Sequence, residues 1–261
     1  MFFSKYQAAG NDFIIIDDRD GSFPLENKSF IEKLCSRKFG IGADGLVLLQ
    51  NSSFADFRMR IFNLDGLEAS MCGNALRCIT LYLNGLDFFK DCFAIETESG
   101  IFSCRVIENR VAVQFPIPKI LHPKVVLEDV FEGEITVVDS GVPHAMIFVK
   151  DIDTIPVQEL GRAIRRHPFF SPYGVNVNFI QVSSQRSLRI RTYERGVEGE
   201  TLACGTGAVA ASFVFFQQNR SCGSLEIIPL SGESVTCSML SSLVDGIEII
   251  GPASFVFKGE I

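Results

Sequence analysis

The sequence predicts an α/β fold built from two similar halves, and three observations lead to that prediction. Short apolar or alternating runs, bounded by turn residues, are typical of strands. A few longer stretches with helical periodicity lie between these runs. Sliding the 261-residue chain by about 131 positions, roughly half of its length, brings similar residues into register in the same order. We therefore expect two similar α/β halves that face each other.

Strands and helices are predicted along the whole chain. The predicted strands are Phe13–Asp17, Leu46–Leu49, Phe57–Asn63, Gly100–Ile107, Val111–Phe115, Ala145–Val149, Asn178–Val182, Leu188–Tyr193, Leu225–Ile228 and Ser254–Phe257. The predicted helices are Ser29–Lys38, Asn74–Leu83, Val157–Arg166 and Thr206–Gln218. Residues 208–216 are apolar on every side, which predicts a helix buried all round. The Pro116-Ile117-Pro118 segment near the midpoint is the candidate linker.

The internal repeat can be followed through four short matches. Three of them share one offset, and the fourth needs one more position, which a single extra residue near Glu198 would supply. The matched segments are Gly10-Asn11 with Gly141-Val142, Gly45 with Asn176, Arg58–Asn63 with Arg189–Glu194, and Cys72–Asn74 with Cys204–Thr206.

Composition excludes several classes of partner. The chain has 24 Lys and Arg against 31 Asp and Glu, a net charge of -7, so it offers no basic surface for a nucleic acid. Its sequence contains no run of uncharged apolar residues long enough for a membrane span, and its first residues do not resemble a leader. We expect a cytoplasmic protein whose eight cysteines are thiols.

Each half places a cysteine directly before a glycine-led turn that opens a helix. A helix N-terminus binds carboxylates and lowers a thiol pKa from about 8.5 into roughly the 3.5–7.5 range. Two such helix starts would put the sulfurs of Cys72 and Cys204 on opposite faces of one carbon. That arrangement suits removal of a proton from one face and delivery to the other, with the N–H groups stabilising the enolate-like charge.

The remaining cysteines and glycine motifs carry no such chemistry. A lone cysteine before a buried helix is more often a core residue, and only the paired occurrence reverses those odds. We expect core or surface thiols at Cys35, Cys78, Cys92, Cys104, Cys222 and Cys237. No C-x-x-C spacing occurs, so no metal site is predicted. Gly40–Gly45 matches a dinucleotide fingerprint but follows a helix and precedes a strand, the reverse of the required order.

Taken together, the motifs resemble those of the diaminopimelate epimerase family over nearly the whole chain. The motifs are Gly10–Phe13, Ile61–Gly66, Met71–Asn74, Pro143-His144, Tyr193–Gly196 and Ala203–Gly207. The resemblance implies two pseudo-symmetric α/β domains, each a curled, mostly antiparallel sheet around a central helix. The first domain would span residues 1–115 and be joined by the C-terminal strand at about 252–261, and the second would span 116–251.

The resemblance also implies an activity and its residues. The family interconverts LL- and meso-2,6-diaminopimelate, a lysine and peptidoglycan precursor, without pyridoxal phosphate or another cofactor. Cys72 and Cys204 match the acid–base pair, and His144 and Glu194 match the residues that assist them. The residues that match the substrate-binding positions are Asn11, Asn63, Gly73, Asn74, Asn176, Glu194, Arg195, Gly205 and Thr206. The partner would be a small amino acid, and a homodimer is left open.

Two positions depart from the family pattern. Gly45 stands where the family usually has Gln, and Val142 stands where it usually has Asn. Because a buried polar group discriminates strongly against an unmatched ligand, losing two such groups should relax specificity. The hypothesis is that inversion survives while slow turnover extends to smaller amino acids such as glutamate.

Alternatives remain open from the sequence alone. A proline or hydroxyproline racemase shares the implied fold, although its first Cys-Gly is typically followed by His, where this chain has Asn74. A thiol redox protein and an inactive ligand-binding module are the other two candidates. Asn11, Asn63 and Asn176 could also be simple turn residues.

Overall fold

The computed structural model describes residues 1–86, 88, 90–219, 223–240 and 245–261, so Cys222 lies outside the described residues. The chain divides into two compact units. The first comprises Met1–Gln114 with Ile250–Ile261, and the second comprises Phe115–Ile249. Within the described ranges, no helix has the length and apolar character needed to cross a membrane.

Strands make up most of the regular structure. In chain order they are β1 (Phe2–Ala8), β2 (Asn11–Asp17), β3 (Gly45–Gln50), β4 (Phe57–Asn63), β5 (Glu68–Ala69), β6 (Phe93–Thr97), β7 (Gly100–Ile107), β8 (Arg110–Phe115), β9 (Lys119–Leu127), β10 (Phe131–Asp139), β11 (Pro143–Phe148), β12 (Asn176–Ser184), β13 (Ser187–Glu194), β14 (Gly199–Thr201), β15 (Ser224–Ile228), β16 (Val235–Met239), β17 (Ile247–Pro252) and β18 (Ser254–Glu260). The α-helices are α1 (Lys28–Cys35), α2 (Gly73–Asn84), α3 (Val157–Arg165) and α4 (Gly205–Gln218).

The two units share one order of strand pairing. In the first, β1–β2 is antiparallel, β2–β3 parallel, β3–β4 and β4–β5 antiparallel, β4–β6 parallel and β6–β7 antiparallel. In the second, β10–β11, β11–β12, β12–β13, β13–β14, β13–β15 and β15–β16 follow the same sequence of directions. The C-terminal strand β18 pairs antiparallel with β1 and so completes the first unit.

Residue pairing locates the extra residue of the repeat. Ile61 pairs with Ala69 in the first unit, and Thr192 pairs with Thr201 in the second. The strands on both sides keep the repeat, so the additional residue lies in the turn between β13 and β14. Glu198 in that turn has a φ of 56°, a left-handed conformation that a non-glycine residue seldom adopts. The two similar halves predicted from the sequence are confirmed.

Each unit is built around one buried helix. In the first unit α2 packs against β1, β2, β3, β4, β7 and β18, and its residues Gly73–Thr80 are all buried. In the second unit α4 packs against β11, β12, β15 and β16, and Gly205–Phe216 are all buried. The helix buried all round that the apolar pattern of residues 208–216 predicts is confirmed in α4, whereas α2 is enclosed in the same way but also buries Asn74 and Arg77.

The other two long helices cover the outer faces of the sheets. In the first unit Ile31 and Leu34 of α1 join a core with Ile14, Leu46 and Leu48. In the second unit α3 packs against β12, β13 and β14 through its own apolar face. Both units are therefore layered, with one helix inside the sheet and one outside.

The prediction that the first helix runs from Ser29 to Lys38 is wrong at its C-terminal end. The helix ends at Cys35 because the next residues fold back on it. Gly42, with a φ of 81°, donates its N–H to the Leu34 carbonyl at 3.0 Å, and Ala43 donates to Cys35 at 3.1 Å. The last carbonyls of the helix are thus satisfied by the loop instead of by a further turn.

Candidate active site

In the first unit, Cys72 is the residue that precedes α2. Its backbone is extended, with φ of −148° and ψ of 118°, and Gly73 begins the helix. Its sulfur lies 3.9 Å from Oδ1 of Asn11, the first residue of β2. Asn74 donates from Nδ2 to the same Oδ1 at 3.1 Å. Three residues that match substrate-binding or catalytic positions therefore meet at the start of α2.

The orientation of the Asn11 amide is fixed by its neighbours. Its Nδ2 donates to the Asp44 carboxylate at 2.9 Å, so its oxygen must face the opposite way. Asn74 is held in turn by Arg77, which donates from Nη2 to Asn74 Oδ1 at 2.8 Å. Arg77 is only 1% exposed and also donates to the Pro252 carbonyl at 3.2 Å. Charged groups therefore fix the orientation of both amides and turn the Asn11 oxygen toward Cys72.

A cluster of charges lies behind Asn11. Arg37 forms a two-pronged pair with Asp12, at 2.6 and 3.0 Å, and reaches Asp44 at 2.8 Å. Lys5, 5% exposed, pairs with Asp12 at 2.8 Å and donates to the Gly42 carbonyl. This cluster ties β1, β2 and the loop before β3 together at the base of the half-site.

Acid is expected to weaken the first unit through Asp12. Burial acts to raise the pKa of Asp12, but hydrogen bonds from Arg37 and Lys5 outweigh it and lower the pKa from 3.8 to about 2. The stabilisation is therefore fully present above pH 3.8 and is lost as the pH falls through about 2. It amounts to about 2 kcal/mol of unfolding free energy.

Urea unfolding at a series of acidic pH values checks this expectation. Asp12→Asn should flatten the fall in unfolding free energy, whereas Glu132→Gln, which neutralises an exposed carboxylate, should leave it as in the wild type. If the unfolding free energy of the Asp12→Asn protein falls with decreasing pH as it does in the wild type, Asp12 is not the group responsible.

In the second unit, Cys204 precedes α4 in the same way. Its backbone is extended, with φ of −123° and ψ of 111°, and Gly205 begins the helix. Cys204 is 9% exposed, and its sulfur lies 3.4 Å from the hydroxyl of Thr206. That hydroxyl lies 2.9 Å from Nε2 of His144 on β11. The structure thus places Thr206 between His144 and the sulfur.

His144 is fully buried and neutral at ordinary pH. Burial lowers its pKa to about 3, and the positive charge of Arg195 acts in the same direction. Asn178 lies 3.0 Å from the other ring nitrogen, Nδ1. A Cβ at Gly207 would come within 2.5 Å of Asn178 Oδ1, so only glycine allows α4 to approach this closely. The imidazole is therefore enclosed between β12 and the start of α4.

Glu194 ends β13, and Arg195 begins the turn that follows it. Thr201 donates to the Glu194 carboxylate at 2.5 Å, and Asn176 accepts the Arg195 backbone N–H at 2.8 Å. Asn176, 6% exposed, therefore acts on the backbone of this turn. Glu198 anchors the far side of the turn by pairing with Arg165 at 3.0 Å.

The two positions that depart from the family pattern differ in their surroundings. Gly45 pairs with Asn63 across β3 and β4, and a Cβ at Gly45 would lie 2.8 Å from the Phe62 carbonyl oxygen. A larger residue therefore needs the two strands to separate. Val142 is half-buried just before β11. Asn63 itself is exposed at the end of β4.

The other described cysteines behave as core or structural thiols. Burial raises the pKa of Cys35 to about 11, that of Cys104 to about 12, and that of Cys78 beyond the ordinary range. Cys237 is fully buried, and Cys92 is half-buried against Ser103. No disulfide joins any two of the described cysteines. Among the described residues, no group of His, Cys, Asp and Glu side chains is arranged to hold a metal ion.

Sequence reasoning missed several residues that order the site. Asn178 lies two positions after Asn176 on one strand, so alternation puts both on the same face and could have identified it. Thr192 faces it from the neighbouring strand. Asp44 and Arg77 carried no motif that distinguishes them from ordinary surface charges.

Solved structures define the class of fold. A phenazine biosynthesis protein of the PhzF family from Bacillus anthracis matches with a TM-score of 0.74 and 19% identity, over 100% of this chain and 98% of that one. A hydroxyproline epimerase from Agrobacterium vitis matches with a TM-score of 0.69 and 16% identity, over 99% and 91%. The chain thus belongs to the class of two-unit α/β proteins with a central helix in each unit.

Within that class, the chain belongs to the diaminopimelate epimerase family. The family model described as diaminopimelate epimerase matches residues 3–116 and 136–256. A diaminopimelate epimerase of Aquifex aeolicus is 37% identical over 273 residues, covering 100% of this chain and 98% of the relative. One from Flavobacterium psychrophilum is 36% identical over 259 residues, covering 98% of both. The resemblance seen in the motifs is confirmed.

Proposed function

We propose that the protein is a cofactor-independent epimerase that interconverts LL- and meso-2,6-diaminopimelate. Membership of the family supports the activity. The observation that carries the mechanism is the recurrence, in both units, of an extended cysteine followed by the glycine that begins a buried helix. The reaction supplies a precursor of lysine and peptidoglycan, and we place it in the cytoplasm.

The mechanism uses the two sulfurs as an acid–base pair. One of Cys72 and Cys204 removes the α-proton, and the other gives its proton to the opposite face of the same carbon. The backbone N–H groups of Gly73, Asn74, Gly205 and Thr206, at the two helix starts, bind the reacting carboxylate. These N–H groups also stabilise the enolate-like charge that develops on this carboxylate as the proton leaves.

The remaining site residues orient the substrate. Asn11, Asn63 and Asn176 provide amide groups, and Glu194 assists the thiols and the substrate ammonium group. The guanidinium of Arg195 binds the distal carboxylate, for which its planar fork is well shaped. His144 supports Cys204 through Thr206, because its ring nitrogen contacts the Thr206 hydroxyl at 2.9 Å.

A single incubation tests the proposed function. The pure protein is mixed with LL-diaminopimelate in D₂O, and optical rotation and α-deuterium are followed together. We expect both to change in parallel without any added cofactor. Loss of rotation with no deuterium incorporation, or no change in either, would rule out the two-thiol epimerase. An inactive ligand-binding module and a redox protein both predict the second result.

The enzyme is expected to accept a broader range of substrates than relatives that have polar side chains at the positions of Gly45 and Val142. Gly45 and Val142 each remove one polar side chain, and the Phe62 carbonyl leaves no room to restore one at Gly45. We expect slow turnover of single-centre amino acids such as glutamate, measured as kcat/KM across a panel. Val142→Asn should lower kcat/KM for the single-centre amino acids relative to diaminopimelate. Val142→Leu is the apolar control and should not. A gap of about 10⁴-fold between diaminopimelate and all others would contradict relaxed specificity.

A further inference from the structure

The two candidate sulfurs face hydrogen-bonding groups of opposite kinds. Cys72 lies 3.9 Å from an amide oxygen, Oδ1 of Asn11, which can only accept a hydrogen bond. Cys204 lies 3.4 Å from the hydroxyl of Thr206, which can donate. A thiol can donate to the first partner, and a thiolate can accept from the second. The neighbouring hydrogen bonds determine which atom is the donor and which is the acceptor at each sulfur.

In the second unit, the direction is set at Asn178. The Ala145 carbonyl can only accept, so the Asn178 atom 3.3 Å from it must be the amide nitrogen. The Asn178 oxygen correspondingly accepts from the Thr192 hydroxyl at 2.9 Å. The same amide nitrogen lies 3.0 Å from Nδ1 of His144 and donates to it. Nδ1 therefore carries a lone pair and not a hydrogen.

The lone pair on Nδ1 in turn determines which hydrogen bond the imidazole makes with Thr206. A neutral imidazole with a lone pair on Nδ1 carries its hydrogen on Nε2. Nε2 of His144 then donates to the Thr206 oxygen at 2.9 Å. With its oxygen accepting this bond, the Thr206 hydroxyl can direct its own hydrogen at Cys204, 3.4 Å away. Burial and the charge of Arg195 lower the pKa of His144 to about 3, which keeps the ring neutral throughout.

In the first unit, the direction is set by charges. The Asp44 carboxylate accepts from the Asn11 amide nitrogen at 2.9 Å. Arg77 donates to the Asn74 oxygen at 2.8 Å, so the Asn74 nitrogen donates to Asn11 Oδ1 at 3.1 Å. Both contacts turn the Asn11 oxygen, with its lone pairs, toward Cys72. A negative sulfur at this position would face a negative end of a dipole, whereas an S–H group can donate to it.

We infer that the two sulfurs rest in different protonation states, Cys204 as the thiolate and Cys72 as the thiol, and that Asn178 is the positioning residue that sets this asymmetry through His144 and Thr206. The inference rests on the proposed function, because it assigns the acid and the base of that reaction. In the resting enzyme the Cys204 thiolate accepts the α-proton and becomes a thiol, while the Cys72 thiol gives its proton and becomes a thiolate. A second proton transfer, through solvent or through the reverse reaction, restores the resting form.

The first test reads the imidazole directly in the wild-type protein. The chain has three histidines, so a nitrogen-15 spectrum of labelled imidazoles is simple, and His122→Gln and His167→Gln assign the other two. We expect His144 to show a protonated Nε2 and an unprotonated Nδ1 at neutral pH. A protonated Nδ1, as the other tautomer or as an imidazolium, would overturn the inference without any variant in the site.

The second test compares the two sulfurs within one molecule. Both cysteines are labelled with iodoacetamide at neutral pH, and mass spectrometry gives the ratio of their labelling rates. Asn178→Asp keeps the shape but accepts a hydrogen from Nδ1, which turns the Nε2 lone pair toward Thr206 and draws the hydroxyl hydrogen away from Cys204. We expect the Cys204 to Cys72 rate ratio to fall about tenfold, the order of one hydrogen bond to a charged group.

Two matched controls separate direction from general loosening of the fold. Thr192→Val removes the hydrogen bond that the Asn178 oxygen accepts. The bond from the Asn178 nitrogen to the Ala145 carbonyl still fixes the orientation of the amide, so the ratio should stay within about twofold of the wild type. Thr206→Val, which loses the hydroxyl, should lower the ratio, and Thr206→Ser should restore it. This pair also serves if Asn178→Asp fails to fold.

The outcomes separate this inference from the proposed function. If Thr192→Val lowers the ratio as much as Asn178→Asp, or if Thr206→Val leaves it unchanged, the inference is wrong. Deuterium incorporation by the wild-type protein would still support the epimerase in that case. If no deuterium is incorporated while the ratios behave as expected, the proposed function fails and the difference between the sulfurs stands.

Discussion

Replacing Cys72 or Cys204 by serine is expected to abolish inversion, with a loss of kcat/KM on the order of 10⁴-fold. Each inversion needs one sulfur to take a proton and the other to give one, and a serine hydroxyl is too weak an acid to replace either. Optical rotation measures inversion, and α-deuterium measures exchange on one face. The remaining thiol is expected to keep some exchange, so deuterium should enter more readily than rotation changes.

The matched control is Cys92→Ser. This cysteine is half-buried and its sulfur contacts the Ser103 hydroxyl at 3.1 Å, far along the sequence from either helix start. The substitution should leave rotation and exchange near wild-type rates. Wild-type inversion in either the Cys72→Ser or the Cys204→Ser protein would contradict the two-thiol mechanism.

Arg195→Ala is expected to lower kcat/KM for diaminopimelate by on the order of 10²–10³-fold, the effect of losing a two-pronged bond to a carboxylate. The Arg195 backbone is held by Asn176 at 2.8 Å, so removal of the side chain should leave the turn in place. Steady-state kinetics with diaminopimelate and with proline gives the measurement. A racemase for proline, which has no distal carboxylate, would not lose activity in this variant.

Arg189→Ala is the control for that experiment. Arg189 lies on β13, the strand that precedes Arg195, and its side chain is 40% exposed and pairs with Asp153 at 2.7 Å. Surface ion pairs contribute little to stability, so this change should leave kcat/KM unaltered. Equal kinetics for the Arg195→Ala and wild-type enzymes would remove Arg195 from the site.

Much of the fold could be predicted because its signals are local and occur twice. The ten predicted strands are all present, and the repeat reappears in the pairing of Phe13 with Gly45 and of His144 with Asn176. The strands that were not predicted are β1, β5, β6, β9, β10, β14, β16 and β17. In β9 most side chains are exposed, so no alternating apolar face marks it, and pairing with β10 determines its conformation.

The site was predictable only in part. The two cysteines and the glycines after them could be found because a helix start has a short sequence signature. Asn178 could have been found only from its alternation with Asn176, and Thr192, Asp44 and Arg77 carried no signal of their own. Their role is to orient another side chain, and orientation leaves no pattern in a single sequence.

The sequence by itself determined the two α/β halves, the cysteine at each central helix and the family, because these depend on local periodicity and on spacing along the chain. Only the tertiary structure decided the hydrogen-bond direction at each sulfur. Asn11 presents an oxygen to Cys72 because Asp44 and Arg77 fix the amides there, and Thr206 presents a hydroxyl to Cys204 because Asn178 fixes His144. An amide or an imidazole can point either way, and only neighbours brought together by folding select one.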